Sequence, residues 1–213
     1  MKSYVVIGLG RFGVHIAEEL YKLDQDVLAI DTDEARVDAI ADSVTRAVTA
    51  DCTDPSVLKE LGVQDCDCAI LAIGSDLAAS VLIMMNLKTL GVPNVLCKAY
   101  DETHSAILKK LGADQVIIPE RAVAEKLANT LTHPNVLEDI ELSDDYGIIE
   151  RTPPKGWAGK SLRELNVRAK YGVTIIAVKQ GERINASLSA DFVLSPDDIL
   201  VLLGTYDDMN KIK

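Results

Sequence analysis

The stretch Val5-Val6-Ile7-Gly8-Leu9-Gly10-Arg11-Phe12-Gly13-Val14-His15-Ile16-Ala17 runs from a β-branched triplet through three glycines into helical periodicity. It matches G-x-G-x-x-G between a strand and a helix, which is where that spacing has a physical use. Gly8 permits a tight turn, Gly10 lets a pyrophosphate approach the backbone, and Gly13 lets helix and strand pack closely. The unpaired N–H groups at the helix start then face the phosphates. Asp31 follows the second strand pattern, placed to accept hydrogen bonds from ribose hydroxyls. Asp51-Cys52-Thr53-Asp54 follows the third, where an adenine edge meets such a sheet. A plain helix cap by Thr53 or Asp54 is the alternative reading there, and both stay open.

Outward from this motif the same alternation recurs. Strands are expected at 27–30, 47–48, 68–72, 95–97 and 116–118, and helices at 12–23, 34–41, 55–61, 77–90 and 104–111. Gly62, Gly91 and Gly112 each follow the last apolar residue of a helix, where a left-handed C-cap is expected. Strands and helices in this order imply βαβ crossovers and a parallel sheet covered on both faces. Residues 1–118 therefore read as a Rossmann-like, doubly wound α/β domain. A crossover helix and linker over 119–135, ended by Pro134, leads into a small α+β domain over 136–213. Its strands are expected at 137–142, 147–151, 173–179 and 199–203, and its helices at 161–165 and 207–212.

Composition narrows the function classes. The 213 residues carry 22 Lys+Arg against 33 Asp+Glu, a formal charge of −11, which argues against a nucleic-acid partner needing a basic face. Apolar residues make up 48% and charged residues 26%, the balance of a globular chain. Cys52, Cys66, Cys68 and Cys97 have neither zinc-finger nor thioredoxin spacing and read as reduced, buried thiols. The apolar runs 81–85 and 199–203 fall far short of the roughly 20 residues that span a bilayer. Residues 4–9 resemble the start of a signal peptide, but Arg11 interrupts them. The expected location is cytoplasmic, with any membrane business done through a partner.

Several single residues carry weight. Arg11 puts a cation in the first turn of a helix, against the macrodipole, which makes sense beside phosphate charge from the same or a neighbouring subunit. Lys98 ends the fifth strand on the ligand side. Glu120 follows Pro119 at a helix start, where an acid suits the dipole in any case. His15, His104 and His133 read as surface or helix-end histidines, and no G-x-S-x-G, H-E-x-x-H or Walker A pattern occurs. Residues 77–87 are apolar all round except Ser80 and Asn86, so a subunit interface is expected on that helix and a charge at Met84 should break assembly. Lys160, Arg163, Arg168 and Lys170 cluster against one acid, Glu164, a candidate anion site.

Together, Gly8-Leu9-Gly10-Arg11-Phe12-Gly13, Asp31, Ile118-Pro119-Glu120 and Leu165-Asn166-Val167-Arg168-Ala169-Lys170-Tyr171-Gly172 resemble the cytosolic gating subunit of Ktr/Trk-type potassium uptake systems, with its N- and C-terminal regulator-of-potassium-conductance domains. The resemblance covers essentially the whole chain. It implies dimers assembling into a ring, usually octameric, beneath a membrane potassium-translocating subunit. It also implies ATP or ADP, in relatives NAD(H), in the first domain. The candidate cofactor-binding set, read from the residues together with the resemblance, is Gly8, Gly10, Arg11, Phe12, Gly13, Asp31, Asp51, Cys52, Thr53 and Lys98. Arg11 resembles the arginine that reaches a neighbouring subunit's γ-phosphate. Glu120 resembles the acid beside a monovalent or divalent cation between facing nucleotides. Arg168 matches the arginine that contacts cyclic di-AMP in some members, although Thr174 stands where some relatives carry Asn. The residues offer no catalytic set, and with the resemblance the reading is a regulatory subunit rather than an enzyme. A small NAD(P)-dependent oxidoreductase and a nucleotide-sensing scaffold without a pore partner are the competing classes.

Overall fold

The computed structural model describes residues 1–74, 76–132, 136–143 and 145–212, with backbone alone at 129–130, 136–139 and 141. The expected helix stop at Pro134 and His133 lie outside the described residues. The chain divides into two units, Met1–Val123 and Ala124–Lys213.

In the first unit, β1 (Ser3–Ile7), β2 (Asp26–Asp31), β3 (Arg46–Thr49), β4 (Cys68–Leu71), β5 (Val95–Lys98) and β6 (Gln115–Ile117) alternate with α1 (Arg11–Lys22), α2 (Glu34–Ile40), α3 (Pro55–Glu60), α4 (Leu77–Thr89) and α5 (Glu102–Lys110). The strands form one parallel sheet in the order β3-β2-β1-β4-β5-β6. The order reverses between β1 and β4, and in an open α/β sheet ligands bind at that switch point, off the carboxyl ends of the strands. Burial on both faces explains the near-continuous apolar strands. Ile7, Leu71, Val95 and Cys97 pack with Met84 and Leu87 on one side, and Val6, Ala29 and Ile70 with Ala17 and Val37 on the other. The helix stops fall where the sequence places them: Gly62, Gly91 and Gly112 are all left-handed.

Helix α6 (Pro119–Thr132) carries the chain from the first unit into the second, with Val123, Leu127 and Leu131 exposed along it. The second unit has one antiparallel sheet, β10-β9-β11-β8-β7, built from β7 (Val136–Glu141), β8 (Tyr146–Arg151), β9 (Thr174–Gln180), β10 (Arg183–Asn185) and β11 (Ile199–Thr205). Helices α7 (Leu162–Leu165), α8 (Val167–Tyr171) and α9 (Tyr206–Asn210) complete it. Its core is separate, built on Trp157, Leu165, Val178, Leu194, Leu200 and Leu202. Helix α7 starts at a capping box, in which Ser161 and Glu164 each satisfy the other's backbone N–H. Strand β10 and helix α8 are not foreseen by the periodicity, being three and five residues long.

Two expectations need correction. Met84 is fully buried against the Cys97 sulfur at 3.6 Å, so it is core, while Leu82 and Met85 on the same helix are about half exposed. Of the two readings given for His104, surface or helix-end, only the second holds: it is the third residue of α5 but fully buried.

Candidate functional site

A cleft of about 580 Å³ opens off the carboxyl ends of β1, β2 and β4. Gly8, Gly10, Arg11, Phe12, Asp31, Asp51, Cys52, Thr53, Lys98 and Glu120 all line it. Gly13 lies behind this wall, and Arg168 belongs to the second unit.

The three glycines differ in what constrains them. Gly8 has a φ of +96°, and a Cβ there would meet the Ile73 side chain at 2.9 Å. A Cβ on Gly13 would be driven into the Gly8 carbonyl oxygen. Gly10 has nothing within 4 Å of such a Cβ; it faces open cleft, where a phosphate would lie. Gly10 is also the N-cap of α1 and supplies no side-chain cap, and no acid occupies the first helical turn. The leading N–H groups of a twelve-residue helix thus face the cleft without an intramolecular anion.

Asp31 is buried and ties the glycine turn to the end of β2. Its Oδ2 accepts from Leu9 N–H at 2.6 Å and its Oδ1 from Asp33 N–H at 2.9 Å. A carboxylate has about four acceptor positions, so both oxygens retain capacity for a diol. Arg36, from α2, sits 3.6 Å from Asp31 and 3.3 Å from Asp33 and also lines the cleft. Beyond β3, Asp51 Oδ1 accepts from the Thr53 hydroxyl at 2.7 Å and from Thr53 N–H at 2.9 Å. These two bonds hold its carboxyl below the usual range. Asp54, not Thr53, caps α3. The Cys52 thiol is pushed up to about 12 by burial and then by Asp51 and Asp31, so it is a packing group and not a nucleophile.

The other end of the cleft is cationic. Lys98 Nζ lies 2.8 Å from Glu120 Oε1 and 6.0 Å from the centre of the Phe12 ring. The hydrogen bond from Lys98 lowers the Glu120 carboxyl most, helped by its own backbone N–H and by the Lys98 and Arg11 charges. Arg11 is exposed and, among the described residues, has no ion-pair partner within 4 Å. Acceptors for hydroxyls at one end and two cations near a helix N-terminus at the other match a nucleoside carrying phosphates. No three potential metal-ligating side chains cluster among the described residues, so Glu120 would need phosphate oxygens or a second chain to hold a cation.

In the second unit Arg168 is exposed on α8. In the basic cluster around it Arg163 is neutralised by Asp191 at 2.9 Å, whereas Lys170 donates to the uncharged Glu164 carbonyl at 3.5 Å. The sequence reading missed Arg36, Gly74, Asp76 and Tyr100 on the cleft wall. Gly74 follows β4, the strand beyond the switch point, so knowledge of the strand order would have found it.

The strand order, the glycine turn at its reversal and the appended antiparallel unit define a two-unit protein whose first half is a Rossmann-type domain. The TrkA-N domain family matches residues 4–119 and the TrkA-C domain family residues 148–213. The chain belongs to this family of potassium uptake proteins. It is 39% identical over 212 residues to Ktr system potassium uptake protein C of Bacillus subtilis (strain 168), covering 100% of this chain and 96% of that protein. It is 40% identical over 212 residues, with the same coverage, to Ktr system potassium uptake protein A of that organism. The GsuK channel bound to NAD shares the fold, with a TM-score of 0.66 and 17% identity, over 97% of this chain and 38% of the channel's.

Proposed function

We propose that this chain is the nucleotide-sensing regulatory subunit of a potassium uptake system. An adenine nucleotide binds in the cleft, with ribose at Asp31, base beside Asp51–Thr53, and phosphates at the glycine turn, Arg11 and Lys98. The uncapped α1 N-terminus at Gly10, facing open space and flanked by both cations, carries this reading. Subunits pair and assemble into a ring, an octamer by resemblance, on the inner face of the membrane beneath a potassium-translocating subunit. Among the described residues no helix is long and apolar enough to cross a membrane itself. ATP favours one ring conformation and ADP another, and each moves the equilibrium only by its differential affinity for the two. A cation bridging Glu120 and the terminal phosphates would relieve the repulsion created when a triphosphate takes Lys98 from Glu120.

Calorimetry with ATP, ADP, NAD⁺ and NADH, with the assembly mass measured in each state, tests the reading. Tight binding of NADH alone, with hydride transfer to a small carbonyl compound, would replace it with the oxidoreductase reading. Arg11→Ala should weaken ATP more than ADP, by about 1.5–3 kcal/mol for a lost charge-assisted bond; equal losses would return Arg11 to an ordinary loop role. Arg168 is the residue for a second, anionic ligand, cyclic di-AMP by resemblance. Arg168→Ala should abolish the heat of cyclic di-AMP binding and leave the ATP titration unchanged.

A further inference from the structure

Over 77–87 helix α4 is apolar except for Ser80 and Asn86, and both have partners inside the fold. Ser80 Oγ lies 3.0 Å from His104 Nε2. Asn86 points to a different element: its Nδ2 donates to the backbone carbonyl of Thr53 at 2.9 Å. Thr53 belongs to the turn after β3 that lines the cleft, whereas Asn86 is half-buried behind it.

Ala50 N–H, at the start of this turn, donates to the Asp31 carbonyl at 3.0 Å, and the remaining side-chain hydrogen bonds of residues 51–54 are short-range. Asp51 bonds Thr53, Asp54 bonds Ser56, and Cys52 is buried in the core. Ala50 and Cys52 anchor the first half of the turn, and the hydrogen bond from Asn86 is the side-chain bond that ties Thr53, at its far half, to a second element. Asparagine is a poorer helix former than the Leu, Met and Ala around it. Its place here is explained by the amide donor, which those residues lack.

We infer that Asn86 is a positioning residue for nucleotide recognition: without touching the ligand, it holds the Thr53 carbonyl, and with it the Asp51–Thr53 wall, where a nucleobase packs. The inference rests on reading the cleft as the nucleotide site. Removing the donor frees the turn to shift, so the base meets a wall no longer preorganised for it.

Asn86→Leu tests this in the full-length protein. Leucine keeps the γ-branched shape and the heavy-atom count, improves helix propensity and deletes the donor. The melting temperature should stay at the wild-type value. ATP affinity should fall about fivefold to tenfold, the cost of re-ordering about one residue of the freed turn on binding, and amide exchange at 51–54 should accelerate in the nucleotide-free state. Asn86→Asp, which sets a carboxylate against the carbonyl, should lose more. ATP affinity within twofold of wild type in Asn86→Leu overturns the inference, as does a fall in melting temperature that accounts for the affinity loss. Should Asn86→Leu not fold, Asn86→Ala is read by the same criteria. Failure of the wild-type protein to bind any adenine nucleotide would instead sink the reading of the cleft.

Discussion

A Cβ built on Gly10 meets no atom within 4 Å, while one on Gly13 runs into the Gly8 carbonyl. Gly10 also sits at φ −71° and ψ −177°, extended backbone that any residue adopts. Gly10→Val should therefore keep the wild-type melting temperature and lose nucleotide binding, because its side chain fills the phosphate space. Gly13→Ala should destabilise by about 1–3 kcal/mol, the usual cost of overpacking, whether or not ligand is present. A melting curve and a calorimetric titration on each separate the two roles, and a stable Gly13→Ala would show that helix and strand can part there at little cost. Asp31 is harder to isolate. Its alanine variant removes the ribose acceptor and also orphans the buried Leu9 N–H, a loss of about 1–3 kcal/mol. Asp31→Asn, with one acceptor oxygen kept, should bind nucleotide weakly and melt nearer wild type. The glycines were legible in the sequence because their reasons are local. Arg36 and Asn86 were not: Asn86 stands out as a polar residue in an apolar helix, but its partner, the Thr53 carbonyl, lies on another element, and Arg36 reads as an ordinary helix-surface cation until the fold sets it beside Asp31.

Uniform apolarity told the sequence reader that α4 lacks a conventional polar stripe, but not which side faces inward. The structure divides it: Ser80, Ile83, Met84 and Leu87 face the sheet, while Leu77, Leu82 and Met85 remain exposed. A helix of a doubly wound domain with such an outer face presents apolar surface that a second subunit can cover. Met85→Glu, more than a third exposed in the single chain, should leave native circular dichroism and reduce the sedimenting species to a smaller size. Met84→Glu should instead unfold the first unit, because an unpaired carboxylate would be buried beside Cys97. If both variants assemble like wild type, α4 is not an interface. Short elements explain most other discrepancies: β10 and α8 hold too few residues for any period to show.

At the scale of the molecule, the two units own separate cores, one around Met84, Leu87 and Leu71 and the other around Trp157, Leu200 and Leu202. A domain with its own core unfolds as its own cooperative unit unless docking couples it to its neighbour. Calorimetric melting of the whole chain should therefore resolve two transitions. Every residue assigned to the nucleotide lies in the first unit, so saturating ATP should raise one transition only, by the binding free energy. At a hundredfold excess over Kd that is about 2.7 kcal/mol of added stability. Cyclic di-AMP, if Arg168 holds it, should raise the other transition and leave the first in place. The same assay can register communication between the units: with ATP bound, a shift of both transitions would show that the units are coupled. A single transition that neither ligand splits would show that the two cores unfold together, and the division of labour between cleft and Arg168 would then need a different test.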